Sequence, residues 1–224
     1  MSLKEELAEY SRKVYERGFV AATDGNLSVR NPEGGIFITP SGVSKGKVTA
    51  GDILLVDYEG NKLEGSGKVS TEVKIHLLVY KHRKEVNAVI HTHPIYATAF
   101  ASTGKGFTKP VFPEVALTLG KIPLCDFAVP STEEVPDSML PYVDYVWALL
   151  LANHGAVTFG KNLEDAFLKT EKLEHTAQIL WVAESLGGAK SIPQEKLKKI
   201  YDISERVYGI KVDKRNRMDG EEKK

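Results

Sequence analysis

Apolar positions near the start of the chain fall at Leu3, Leu7, Tyr10 and Val14, a spacing of three to four residues that predicts an opening helix ended by Gly18. The period then shortens. Leu27 to Arg30 and Ile36 to Thr39 read as strands around the turn Asn31-Pro32-Glu33-Gly34-Gly35, and Ile53 to Asp57 with Lys62 to Glu64 as a second pair around Tyr58-Glu59-Gly60-Asn61. Turns this tight imply antiparallel pairing. A helix is predicted from about Ser70 to His82, followed by an apolar strand, Val86 to Ile90, and a short helix from Ile95 to Ser102 that Gly104 ends. Glycine, lysine and proline make 104–113 loop-like, and a helix is predicted over Glu133 to Leu140. Val146 to Ala152 is an unbroken apolar run, as expected of a strand buried on both faces, and Ala156 to Phe159 adds another.

Leu163, Ala166, Phe167, Thr170, Leu173, Ala177, Leu180 and Trp181 share one face of a long helix, with Asn162 as its N-cap. A last helix is predicted over Pro193 to Val207. The dense charge of 211–224, almost without apolar residues, predicts a flexible C-terminal tail after a single domain spanning 1–210. Helices around a largely antiparallel sheet predict a three-layer α/β/α fold.

Thirty basic residues balance thirty acidic ones, so composition offers no electrostatic argument for nucleic acid or an anionic membrane. No apolar segment reaches the length of a bilayer, and the charged start Met1-Ser2-Leu3-Lys4-Glu5-Glu6 lacks the apolar core of a signal peptide, which predicts a soluble, cytoplasmic protein. The lone Cys125 excludes an internal disulfide and reads as a small buried residue rather than a nucleophile.

Chemistry gathers at His91-Thr92-His93-Pro94, where the strand ends. On a strand, residues two apart share a face at about 6.6 Å, so both imidazoles aim at one point, as metal chelation requires. His154, in Asn153-His154-Gly155 just after the buried run, is the third candidate, and three histidines leave coordination positions open for substrate. Gly65 to Glu72 combines glycines, the hydroxyls of Ser70 and Thr71 and the Glu72 carboxylate at a predicted helix start. That pattern suits either a helix cap or an anion site beside a base. Two further polar loops, Thr23-Asp24-Gly25-Asn26 and Thr39-Pro40-Ser41-Gly42, complete the candidate cradle. His76 stands among Ile75, Leu77 and Leu78 and reads as a packed core histidine; His82 reads as solvated and His175 as structural.

Gly25-Asn26-Leu27-Ser28-Val29-Arg30, Ile38-Thr39-Pro40-Ser41-Gly42, Ser70-Thr71-Glu72, His91-Thr92-His93 and Asn153-His154-Gly155 resemble, in order and spacing, the class II aldolase and adducin-head family. The resemblance runs from the first helix to Tyr208. It implies an α/β/α fold, a homotetramer whose active sites lie at subunit interfaces, and reversible cleavage of a ketose 1-phosphate of the L-fuculose 1-phosphate type into dihydroxyacetone phosphate and an aldehyde. By the same resemblance His91, His93 and His154 are zinc ligands, with manganese, cobalt or iron as other occupants, and Glu72 is a displaceable fourth ligand that becomes the acid/base. Asn26, Ser41, Gly42, Ser70 and Thr71 fall where the family holds the substrate phosphate. The family's aldolases carry a tyrosine acid in the segment matching 109–114, where this chain has Phe112 and no tyrosine. Glu114 falls near the acidic residue of the family's epimerases and dehydratases, and Tyr208 resembles a catalytic tyrosine of the aldolase tail. Pentulose-phosphate 4-epimerase, methylthioribulose-phosphate-type dehydratase and a non-enzymatic adducin-like head are therefore the alternatives that the resemblance leaves open.

Overall fold

The N-terminal periodicity is realised as α1 (Leu3–Glu16), which opens on a reciprocal cap: Ser2 Oγ accepts from the Glu5 amide at 3.3 Å, and the Glu5 carboxylate accepts from the Ser2 amide at 2.7 Å. The computed structural model describes residues 1–219. Both expected hairpins form, β1 (Asn26–Arg30) with β2 (Ile36–Ile38) and β3 (Leu54–Val56) with β4 (Lys62–Glu64). They join β5 (Ala88–Thr92), β6 (Leu124–Cys125), β7 (Ala148–Leu151) and β8 (Gly155–Gly160) in one sheet of order β4-β3-β2-β1-β5-β8-β7-β6. Every pairing is antiparallel except β6 with β7.

Helices cover both faces, as the predicted three-layer fold requires. α2 (Val73–His82) and α5 (Glu134–Met139) pack Ile75, Val79, Val135 and Met139 against Val89, Leu149, Val157 and Phe159. On the other face α1 and α6 (Leu163–Ser185) bury Leu7, Val14, Ala166 and Phe167 with Leu27, Val29, Ala88 and Ile90. There α3 (Ile95–Ser102), α4 (Pro113–Thr118) and α7 (Gln194–Tyr208) extend the layer over Ala148, Leu150 and Ala156. The alternation along β5 therefore sends Ala88 and Ile90 one way, and Val89 and His91 the other, toward α2. Arg30 fixes the end of β1 to the end of α2, its guanidinium donating to the carbonyls of Tyr80, Arg83 and Val86.

Three expectations change. The helix predicted from Ser70 begins at Val73, because residues 70–72 form a turn in which the Val73 amide donates to the Ser70 carbonyl at 3.1 Å. α4 and β6 had no counterpart in the sequence pattern. The segment expected to fray packs down over its described part. Asn216 Nδ2 donates to the Leu119 carbonyl at 2.8 Å, the Met218 amide donates to Tyr201 Oη at 3.0 Å, and both residues are buried. Residues 220–224 of that predicted tail lie outside the described residues.

Candidate active site

His91 stands on β5, between β1 and β8, and is fully buried. Its Nδ1 lies 3.0 Å from the Ala156 carbonyl of β8; a carbonyl only accepts, so Nδ1 carries the proton and Nε2 presents a bare lone pair. His93 lies just past the strand, its amide donating to the Phe19 carbonyl at 2.8 Å, and brings its Nε2 to 3.1 Å from His91 Nε2. His154 enters from the turn between β7 and β8. Asn153 takes the left-handed conformation there, at φ +55°, which asparagine tolerates better than most residues. Gly155 is needed beside it: a Cβ would stand 2.5 Å from both His93 Cδ2 and the Thr92 carbonyl. Glu72, in the turn before α2, completes the group with Oε1 at 3.0 Å from His154 Nε2 and Oε2 at 3.6 Å from His91 Nε2.

Burial disfavours charge on these histidines. Desolvation holds the His91 imidazole down to about 3 and lowers that of His93, so both are neutral and able to ligate. The same burial would raise the Glu72 carboxyl, but hydrogen bonds from His154 and Asn26, together with the nearby His91, outweigh it and hold Glu72 ionised, well below the ordinary carboxylate range. Ligand atoms of His91, His93 and His154 lie within 4.8 Å of one another. Nitrogens about 2.0–2.1 Å from a tetrahedral ion are about 3.3 Å apart, so small side-chain motions close this set around a metal. Three imidazole nitrogens converging on an anionic carboxylate fit a divalent cation in their chemistry as well.

Beside the histidines opens a cleft of about 260 Å³ lined by the three polar loops expected from the sequence, with Ser41, Gly42, Ser70, Thr71 and Glu72 on its walls. Ser131 joins them, accepting or donating a 2.6 Å hydrogen bond with Thr71 Oγ1. Among the described residues no lysine or arginine lines the cleft, so hydroxyls and backbone amides are what its loops offer an anion. Asn26 also borders it, but its amide is committed elsewhere: Nδ2 donates to Glu72 Oε2 at 2.7 Å.

A match to the Class II Aldolase and Adducin N-terminal domain spans residues 5–181. The chain belongs to the class II aldolase and adducin family. An L-fuculose phosphate aldolase of Methanococcus maripaludis is 35% identical over 181 residues, covering 81% of this chain and 97% of that one. A 3-oxo-tetronate 4-phosphate decarboxylase of Haemophilus influenzae is 32% identical over 82% of this chain and 89% of its own length. A solved L-fuculose 1-phosphate aldolase superposes with a TM-score of 0.82 at 31% identity, covering 89% of this chain and 94% of the other. Together these make the protein a class II aldolase-type lyase with the fold that the sequence led us to expect.

In this class II aldolase chain the four proposed ligands meet, and Ser41, Gly42, Ser70 and Thr71 line one cleft beside them. Glu114 and Tyr208 do not join them. Both are exposed, Glu114 in the first turn of α4 and Tyr208 at the end of α7, on helices of the layer opposite to α2. His82 pairs with Asp144 at 2.9 Å, and His175 is exposed on α6. Cys125 is buried, its thiol pushed up to about 12 by burial, as befits a packing residue. Sequence reasoning missed Ser131 and Lys45. Ser131 lies in a segment with no motif, and Lys45 sits in Ser44-Lys45-Gly46-Lys47, which has the composition of a solvated basic turn. Instead Lys45 is fully buried, its Nζ donating to the Thr23 carbonyl at 3.0 Å and the Val43 carbonyl at 2.9 Å, behind two of the cleft loops.

Proposed function

We propose that the protein is a zinc-dependent aldolase that reversibly splits a ketose 1-phosphate of the L-fuculose 1-phosphate type into dihydroxyacetone phosphate and an aldehyde such as lactaldehyde. The observation that carries this reading is the adjacency of a three-histidine, one-carboxylate group to a small cleft lined by hydroxyls and loop backbone. His91, His93 and His154 hold the ion, which when bound supplies a Lewis acid for the negative charge that develops on substrate oxygens. Ser41, Gly42, Ser70 and Thr71 take the phosphate, and this fixes the carbon chain relative to Glu72. Ionised and partly shielded from water, Glu72 carries the proton to or from the carbon that gains the electron pair when C3–C4 breaks. Ser131 steadies Thr71.

The alcohol oxygen released in cleavage needs its own acid/base. Glu114 and Tyr208 suit that role only if a neighbouring subunit presents them, so the reading includes a homotetramer with shared sites. A single band of monomer mass in sedimentation would refute it.

A second reading rests on the decarboxylase relative. Loss of carbon dioxide from a 3-oxo acid phosphate also breaks a carbon–carbon bond beside a carbonyl and leaves an electron pair to be stabilised, so the same group serves. Product analysis with the zinc-loaded enzyme separates the possibilities. Dihydroxyacetone phosphate from L-fuculose 1-phosphate supports the aldolase; carbon dioxide from a 3-oxo-tetronate 4-phosphate without any ketose cleavage overturns it. An epimer of L-ribulose 5-phosphate, or loss of water from a methylthioribulose phosphate, would equally count against it if no cleavage accompanied it.

A further inference from the structure

His76 has no place among the ligands, yet it is the centre of a buried chain of hydrogen bonds that ends on Glu72. Asn26 Nδ2 donates to Glu72 Oε2 at 2.7 Å, and Asn26 Oδ1 lies 2.5 Å from His76 Nε2. On the far side of the ring, Nδ1 lies 2.6 Å from Ser28 Oγ, which in turn lies 2.8 Å from Tyr80 Oη. Asn26, Ser28, His76 and Tyr80 are all buried. Ser28 and Asn26 project from β1 on the face that α2 covers, and His76 and Tyr80 are one helical turn apart on α2, so the register of strand against helix builds the chain.

Each link permits only one direction. An ionised carboxylate accepts and never donates, so Asn26 must turn its amide nitrogen to Glu72 and its oxygen to His76. An amide oxygen also only accepts, and therefore His76 Nε2 must carry the proton. Burial keeps the ring neutral by pushing its pKa down to about 3, which leaves Nδ1 bare to accept from the Ser28 hydroxyl. Ser28 Oγ then accepts from Tyr80, whose phenol burial keeps protonated by raising its pKa well above the ordinary value. An unsupported amide can rotate by half a turn and set its oxygen against the carboxylate; this one is held from behind.

We propose that His76 is a positioning residue for Glu72: its Nε2–H tautomer locks the Asn26 amide so that one carboxylate oxygen is held and the other is left toward His154 and the cleft. The inference rests on Glu72 being the proton carrier proposed above, but the lock itself is a property of the protein alone.

Two measurements test it. In the protein labelled with nitrogen-15 histidine, the expected His76 signals are a protonated Nε2 and an unprotonated Nδ1 throughout the neutral range, with or without added zinc. A proton on Nδ1 overturns the lock without any variant being made. In turnover, His76→Leu is expected to lower kcat about 10- to 100-fold with zinc content, circular dichroism and KM nearly unchanged, as for other groups that orient a reacting side chain. His76→Gln, whose amide can donate at the place of Nε2 and accept near Nδ1, is expected to recover most of that loss. In a Glu72→Gln background His76→Leu should lower kcat no further. Equal damage from His76→Gln and His76→Leu, or a full additional loss in the Glu72→Gln background, would overturn the proposal. Should Glu72→Gln itself keep parental turnover, the proton-carrier reading fails and His76 loses its proposed purpose, even where the tautomer is as expected.

Discussion

Lys45 offers a quantitative test of how the cleft is built. Burial pushes its ammonium from the ordinary 10.5 down to about 8, with the attraction of Asp24 and Glu72 working the other way. At about 1.36 kcal/mol per pKa unit, keeping this lysine charged in the fold costs about 3 kcal/mol at neutral pH. The cost is present in full below the folded value of about 8. It is relieved as the pH rises toward 10.5, because across that window the unfolded chain binds more protons than the folded one. Lys45→Met removes the ionisation and leaves the Thr23 and Val43 carbonyls without their donor. Its destabilisation relative to the parent should therefore grow between about pH 7 and about pH 10, by about 2–3 kcal/mol. Urea unfolding of both proteins at the two pH values measures this, and groups common to both cancel in the difference. A difference that stays flat within about 0.5 kcal/mol would refute a charged, desolvated Lys45. Because the two carbonyls belong to loops of the cleft, the variant should also raise KM for a phosphorylated substrate several-fold while changing kcat little.

His93→Ala should lose bound metal on dialysis and with it all turnover, whereas Glu72→Gln should keep three histidine ligands and its metal yet lose most turnover; metal analysis beside kinetics checks both, and parental activity in Glu72→Gln would remove its acid/base role. Gly155→Ala should displace His93, since the new methyl meets its ring at 2.5 Å, and weaken zinc binding at least about tenfold in a chelator competition; unchanged affinity would show that the turn yields instead. Met218→Ala should lower stability by about 2–3 kcal/mol, because the residue fills a packed site between α4 and α7, and an unchanged melting temperature would mean that the C-terminal segment does not dock in solution.

The long periodic elements were legible because their side chains repeat often enough to declare a period. α1, β5 and α6 with its Asn162 cap follow from that alone, and both hairpins from the turn residues between their short strands. So was the convergence of His91 and His93, since strand alternation fixes it locally. What stayed hidden depends on contacts between distant segments. Lys45 has the neighbours of a surface residue in sequence and those of a core residue in space. Asn216 and Met218 are two buried positions within a run of charges, and no window average can register them. His76 was recognised as buried, but its partners on β1 are about fifty residues away, and only the register of strand against helix reveals them.

The central place of β5 has a kinetic consequence. His91 meets the carbonyl that fixes its tautomer across 65 residues of chain, and Glu72 meets Asn26 across 46. Closing loops of that size precedes any reward from the contacts they bring, and sheets built from such pairings form slowly. Glu72 and His154 reach the His91–His93 pair only through such closures, so in a nascent or partly folded chain the four groups do not yet share one geometry. Ion capture by the full proposed set and completion of the sheet are then one event, and the time at which a newly made chain first retains a divalent metal would mark the closing of β1 and β8 onto β5.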